Sequence, residues 1–372
     1  MRSGCVWTAH YKTFCGLGSV SIRTSGAAAP GKREGDVHGG GRAKIGDVAA
    51  EAGVSVTTVS HVISGRRPVS AATRARVEEV IHRLGYQADP SARGLRTQRT
   101  RTLGLVVPDL ANPFNAELAV GMQEVTLAHE YLTVVCEAPM GGPYLPAVLR
   151  QLAARRMDGI VLGRYGATRA DLALITGSGA RLVRLGGPLG AGPGDVVRAA
   201  EVEGMRDLVR HLVRERGYRR VGFIGGEQGV EPGGERFQGY REALAEAGLD
   251  IPADLVVWTS FTRAGGRTGA ARLLAAAEPP DALVCANDLI AIGALDACRE
   301  RGVDVPGQVA VTGYDNIDAA SLVSPALTTV LNPAREIGRS AARILLERLD
   351  GDDDGPAREV VLAHRLVTRE SA

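Results

Sequence analysis

Apolar residues recur along this chain in two different rhythms. Near the N-terminus the period is helical. Ile45, Val48, Ala49 and Ala52 fall at i, i+3, i+4 and i+7, one face of a short helix. Gly53-Val-Ser55 breaks it. Glycine accepts the left-handed backbone of a sharp turn, and Ser55 is a good N-cap for a second helix. Val59, Val62 and Ile63 then face back toward the first helix, which leaves Val56, Thr57 and His61 facing out. Two helices this short bury little surface, so a third is expected over 70–84. Ser70 caps it, Val77, Val80, Ile81 and Leu84 line its inner face, and Gly85 stops it. The pattern predicts a three-helix unit with a helix-turn-helix, whose second helix can lie in a DNA major groove.

From Thr102 the rhythm changes. Short apolar runs at 103–107, 132–136, 159–162 and 182–185 alternate with helical stretches over 116–129, 148–156 and 171–176. The series restarts with a helix over 205–216, then strands at 221–224, 255–258, 282–285 and 309–312 with helices between them. This alternation predicts parallel, doubly wound sheets with buried strands. Two such series predict two lobes with a cleft between. The fold class expected is α/β, with an N-terminal all-α helix-turn-helix head and a two-lobed doubly wound body.

Charge adds a polarity. The net charge of +2 conceals 11 Lys+Arg against 5 Asp+Glu over residues 42–101, and 28 against 35 over 102–372. A basic head on an acidic body is what contact with phosphate by the head alone requires. The five cysteines show no CxxC spacing, so neither a disulfide framework nor a zinc site is expected, and a reducing cytoplasm fits. No run approaches the ~20 apolar residues of a membrane span. Residues 1–43 are Gly-rich and charged and lack a signal peptide's apolar core. They read as a disordered extension, as sequence ahead of the true start, or as a basic arm touching DNA.

Ala52-Gly-Val-Ser55, Thr58-Val-Ser60 and the Val69-Ser70…Thr73-Arg74 helix start are more specific than helix-turn-helix geometry. Together they resemble the head of the lac-repressor/gal-repressor (LacI/GalR) family of bacterial transcription regulators. The resemblance runs from Ile45 to Ala372. It continues through Asn112-Pro-Phe114, Met157-Asp-Gly159, Gly217-Tyr-Arg-Arg220, Glu235-Arg-Phe-Gln-Gly-Tyr240, Ala286-Asn-Asp288, Val305-Pro306, Gly313-Tyr-Asp-Asn316, Pro325–Val330 and Val367–Ser371. Tyr218 stands where the family has His, and Ala200 about where many members carry Asp before Gly204. The second change removes a carboxylate from the cleft side.

The resemblance implies a body with the periplasmic sugar-binding fold, whose chain crosses three times between its halves. The crossings are expected near 216, 331 and 352. The head then spans 44–86 and a hinge 87–101. Within the body, 102–372, lobe 1 covers about 102–216 and 332–350, and lobe 2 about 217–331 and 353–372. The family's hinge forms a short helix on DNA and wedges a leucine into the minor groove. Leu95, with Arg96, occupies that place, and Gly94 lowers helix propensity by roughly 1 kcal/mol, so the hinge should be disordered off DNA. Ala88 replaces a usual Pro. A plain polar linker is the alternative.

By the same resemblance Val56, Thr57 and His61 read base edges, with His61 donating to guanine and Val56 touching a thymine methyl. Ser55, Thr58, Arg66, Arg67 and Arg74 hold phosphates, which position without specifying. A sugar-sized effector would meet Arg236, Phe261, Asn287 and Asp315 from the second half and Phe114 and Asn115 from the first. Arg236 is a forked donor, Asp315 an acceptor pair, Asn287 both, and the two phenylalanines stacking rings. A structural Arg236–Asp315 ion pair is the competing reading. The implied partners are a near-palindromic double-stranded operator, a carbohydrate effector and a second copy of the chain. A leucine heptad tail is missing, so a dimer is expected and not a tetramer. Effector either releases DNA or promotes its binding.

Two rival classes lose ground. A solute-binding protein of a transport system would carry a signal peptide and no head. An enzyme would need a catalytic constellation, and Gly222-Phe-Ile-Gly-Gly226 lacks the G-x-G-x-x-G spacing of a dinucleotide turn. No cofactor or metal is expected, and no membrane association.

Overall fold

The computed structural model describes residues 43–65, 67–86, 99–140, 143–163, 166–351 and 355–372. They divide into two compact units near residue 88. The first holds three helices, α1 (Ile45–Ala52), α2 (Val56–Ser64) and α3 (Ala71–Leu84). Ser55 and Ser70 cap α2 and α3 by accepting from Thr58 N and Thr73 N. Gly53, Gly65 and Gly85 end the three helices in the left-handed conformation. Val48, Ala49, Ala52, Val59, Val62, Val77 and Val80 form the core. Ile63 departs from expectation: it is 41% exposed. Val59 and Val62 already fill the narrow seam between such short helices, and Ile63 lies one position round the helix from it.

Gly46 lies inside α1 with open space where a Cβ would stand. Gly46→Ala is therefore expected to stabilise the head by up to about 1 kcal/mol, since alanine loses less backbone entropy in a helix. Thermal unfolding of the head checks this.

In the second unit, β1 (Thr102–Val107), β2 (Leu132–Glu137), β3 (Gly159–Leu162), β4 (Arg181–Leu185) and β5 (Asp195–Ala199) alternate with α4 (Pro113–Ala128), α5 (Tyr144–Ala154) and α6 (Arg169–Gly177). The chain then passes into α7 (Glu201–Arg210), a π-helical turn His211–Glu215, β6 (Val221–Gly225), α8 (Gly233–Glu246), β7 (Val256–Trp258), α9 (Arg263–Leu273), β8 (Ala282–Cys285), α10 (Asp288–Arg301), β9 (Ala310–Thr312), α11 (Ala319–Leu322) and β10 (Thr329–Leu331). It returns through α12 (Ala334–Asp350) and β11 (Glu359–Leu362) and ends past β12 (Arg365–Val367). One parallel sheet runs β11-β5-β4-β3-β1-β2 and a second runs β7-β6-β8-β9. β10 and β12 pair antiparallel.

The boundaries between the lobes differ from those expected. Met205, Leu208 and Val209 of α7 pack in the second lobe's core, so the first crossing lies near 200 and not near 216. β11 pairs with β5 in the first sheet, which moves the last crossing from about 352 to about 363. β5 was not expected at all. Its two core valines sit between Asp195 and Arg198, too short an apolar run to stand out.

Two aspartates repeat one device in the two lobes. Asp158 accepts from Thr100 N and Arg101 N ahead of β1, and Asp281 from Arg219 N and Arg220 N ahead of β6. Each ties the chain entering its lobe to a neighbouring strand. Helix pairs meet through glycine. A Cβ on Gly121 of α4 would stand 2.0 Å from Arg335 O, and one on Gly338 of α12 2.1 Å from Leu118 O. Gly266 and Gly293 seat α9 on α10 in the same reciprocal way, each 2.0 Å from a backbone oxygen. No described helix is long and apolar enough to cross a membrane.

Candidate ligand cavity and nucleic-acid face

A cavity of about 360 Å³ opens between the two lobes of the body, and all six expected effector residues line it. Phe114 and Asn115 come from the first turn of α4, whose cap Asn112 accepts from Phe114 N. Arg236 comes from α8, Phe261 from the turn before α9, Asn287 from the cap of α10, and Asp315 from the loop after β9. Phe261 fits because residue 226 is glycine: a Cβ there would stand 2.0 Å from its ring.

Arg236 is buried and fully engaged. Its Nε donates to Glu201 Oε2 at 2.8 Å, Nη1 to Ala286 O at 2.6 Å and Nη2 to Asp315 Oδ1 at 3.0 Å. Its guanidinium carbon lies 4.0 Å from the Tyr314 ring centroid. Asn332 Nδ2 bridges the two carboxylates, at 3.3 Å from Glu201 Oε1 and 3.2 Å from Asp315 Oδ1. The Arg236–Asp315 ion pair is thus formed, and both residues still border the cavity. Asp315 holds φ 106° and Asn316 φ 55°, left-handed backbone that asparagine and aspartate tolerate better than most residues. Hydrogen bonds from Asp315 N to Val330 O and from Asn332 N to Asp315 O hold it there.

Sequence reasoning missed Glu201 and Asn332. Ala200 marked a lost carboxylate, yet its neighbour Glu201 supplies one, buried against Arg236. Asn287 serves as the cap of α10, since its Oδ1 accepts from Ile290 N at 2.9 Å. Asn115 Nδ2 is held by Asp109 O at 2.7 Å.

Crowded carboxyls change the titration of this region. Burial and the nearby Asp315 push Asp288 up to about 8, although Thr329 Oγ1 and Ile317 N donate to it. Burial lifts Asp315 to about 6 against the pull of Arg236. Burial and repulsion from Glu201 and Glu231 lift Glu235 to about 7. For Arg236, burial works against the charge, but Glu201 and Asp315 outweigh it and its pKa rises.

Each of the three carboxyls binds its proton more tightly in the fold than in the unfolded chain. Their contribution to stability is complete below the unfolded value of roughly 4 and is lost as pH rises through the folded values. Asp288 therefore gives a testable slope. Between about pH 5 and pH 8 the wild type should lose stability relative to Asp288→Asn. Urea unfolding of both proteins across that range checks it, and a difference flat in pH contradicts it.

On the head, Val56 and Thr57 are exposed and His61 is half-buried, all on the first two turns of α2. The Ser55 and Thr58 hydroxyls share a 2.9 Å hydrogen bond, so the cap and its neighbour restrain one another. Arg67 is exposed, and Arg74 pairs only loosely with Glu78 at 3.8 Å. Arg66, Leu95 and Arg96 lie outside the described residues.

Comparison with known proteins agrees with this division. Residues 44–89 match the family described as bacterial regulatory proteins, lacI family, and residues 209–372 match a periplasmic binding protein-like domain. The HTH-type transcriptional regulator CelR of Thermobifida fusca is 36% identical over 332 residues, 87% of this chain and 96% of that one. The HTH-type transcriptional repressor PurR of Aliivibrio salmonicida is 32% identical over 332 residues, 88% of this chain and 98% of the relative. A solved structure of a CelR–cellobiose complex superposes with a TM-score of 0.67 at 35% identity, covering 89% of this chain and 100% of that one. The head, the two-lobed body and these full-length similarities lead to one conclusion: the chain belongs to the LacI family of bacterial transcriptional regulators.

Proposed function

We propose that this regulator is a homodimeric repressor that binds a near-palindromic operator and yields it when a sugar-sized effector enters the cavity between its lobes. The observation that carries the reading is the cavity itself. Its walls come from both lobes, so a ligand that touches both favours one lobe arrangement over another. A ligand shifts a two-state equilibrium only by such differential affinity. The repressor sign is supported by the PurR relative's name, and the carbohydrate class by the CelR complex. Val56, Thr57 and His61 read bases. Ser55, Thr58, Arg66, Arg67 and Arg74 steady the phosphates. Residues 87–101 form the hinge, with Leu95 and Arg96 at the minor groove. Two-fold symmetry of the dimer imposes a two-fold site.

Selection of bound fragments from random DNA by the full chain tests this, followed by anisotropy on the recovered site. A recovered sequence without two-fold symmetry overturns the dimer reading. His61→Ala should relax preference at one base pair, at a cost of about 1–3 kcal/mol. Leu95→Ala should weaken the site by more than about tenfold, roughly 1.4 kcal/mol, with ligand affinity unchanged. Equal affinity for the site would remove the wedge role.

A further inference from the structure

Six carboxylates and two guanidiniums face the cavity: Asp109, Glu137, Glu201, Glu227, Glu231 and Asp315 against Arg198 and Arg236. Both cations already have carboxylate partners. Arg236 serves Glu201, Asp315 and Ala286 O, and Arg198 Nε donates to Glu359 Oε1 at 2.8 Å. The helix N-termini at the cavity offer little to an anion. Asn112 Oδ1 takes Phe114 N, Asn287 Oδ1 takes Ile290 N, and Glu231 Oε2 takes Glu235 N at 2.8 Å. The carboxylates of Glu137 and Glu227, by contrast, have no hydrogen-bond or ion-pair partner among the described residues.

A carboxylate only accepts, so these walls hold a surplus of acceptors and of negative charge. Like-signed walls around a cleft focus the field and concentrate ions of opposite sign. Burial is the larger cause of the upward push on Glu235, and Glu201 and Glu231 add to it through the same field. No group of three or more His, Cys, Asp or Glu among the described residues converges closely enough to hold a metal ion. The negative charge is spread around the cavity, which suits an extended organic cation. Phe114 and Phe261 add two aromatic faces, and such faces attract ammonium groups.

We propose that the ligand of this cavity is a small polyol bearing a protonated primary amine, of the amino-sugar class. This rests on the reading of the cavity as the effector site. The ammonium sits among Glu137, Glu227 and the rings. The hydroxyls meet the Asn287 amide and the edge of the Arg236–Asp315 pair.

Calorimetry on the full chain at low salt tests it with D-glucosamine, D-glucose, D-glucuronate and putrescine. D-glucosamine should bind at least about tenfold tighter than D-glucose, and D-glucuronate should give no heat. The glucosamine preference should weaken with added salt. In a Glu137→Gln/Glu227→Gln double variant the ratio of the two affinities should fall to near one. D-glucose or D-glucuronate binding as tightly as D-glucosamine overturns the amine assignment and leaves the effector reading standing. Putrescine binding as tightly as D-glucosamine overturns the sugar part. Silence of all four probes overturns the amino-sugar class, while the regulator reading is still judged by the DNA selection above.

Discussion

Replacing Arg236 by methionine is expected to cost the body about 3–5 kcal/mol of stability, the usual result of removing one partner from a buried ion pair. Methionine fills much of the same volume, so the loss reads mainly as charge. Glu201 and Asp315 are then left buried without their cation, with Asn332 as their shared remaining donor. Two carboxylates in that position repel, and the fold relieves them by taking up protons. Urea unfolding of the variant should accordingly show a smaller deficit near pH 5 than near pH 8, within about the 3–5 kcal/mol range set by the lost pair. Adding Glu201→Gln and Asp315→Asn to Arg236→Met should restore part of the stability, because the three side chains act as one unit. A single variant that costs less than about 1 kcal/mol would show that the cluster contributes no more than a surface pair.

The second large effect has its sign set by geometry. Gly338→Ala is expected to destabilise the body by about 1–3 kcal/mol, the range for forcing an atom into a packed interior. In an open helix the same change stabilises by roughly 1 kcal/mol, as expected for Gly46. At 338 the new methyl would meet Leu118 O at 2.1 Å and Met122 N at 2.9 Å. Both are backbone atoms of α4, so no side chain can rotate away and the two helices must part. Denaturant unfolding of Gly46→Ala and Gly338→Ala should give shifts of opposite sign. Two shifts of the same sign would refute the close approach.

The sequence made some of this legible and hid the rest for physical reasons. The head could be read because its signals are local: within each helix the apolar positions, the serine cap where there is one and the left-handed glycine lie no more than fifteen residues apart. The long strands of the body, such as 103–107, were equally plain. β5 and β11 were not: β5 offers only two valines between charged residues, and β11 takes its place in the sheet from β5, more than 150 residues away. The glycine contacts are hidden in the same way, since Gly121 and Gly338 lie on helices far apart in the chain that pack directly on one another. The cavity residues came from resemblance, and the structure refined their meaning. Arg236 and Asp315 spend their strongest bonds on one another and on Glu201, which the pattern around Ala200 had concealed.

Glu201 and Asn332 stand where the chain passes from one lobe to the other, the first just after β5 and the second just after β10. The bonds that organise the ligand cavity are therefore also bonds across the pivot. Any group that competes for Arg236 or Asp315 loosens or tightens the joint at the point where leverage is greatest. Under the proposed function, sensing and movement share one set of atoms, so a substitution that stiffens the pivot would register in a titration as altered ligand affinity without touching the ligand.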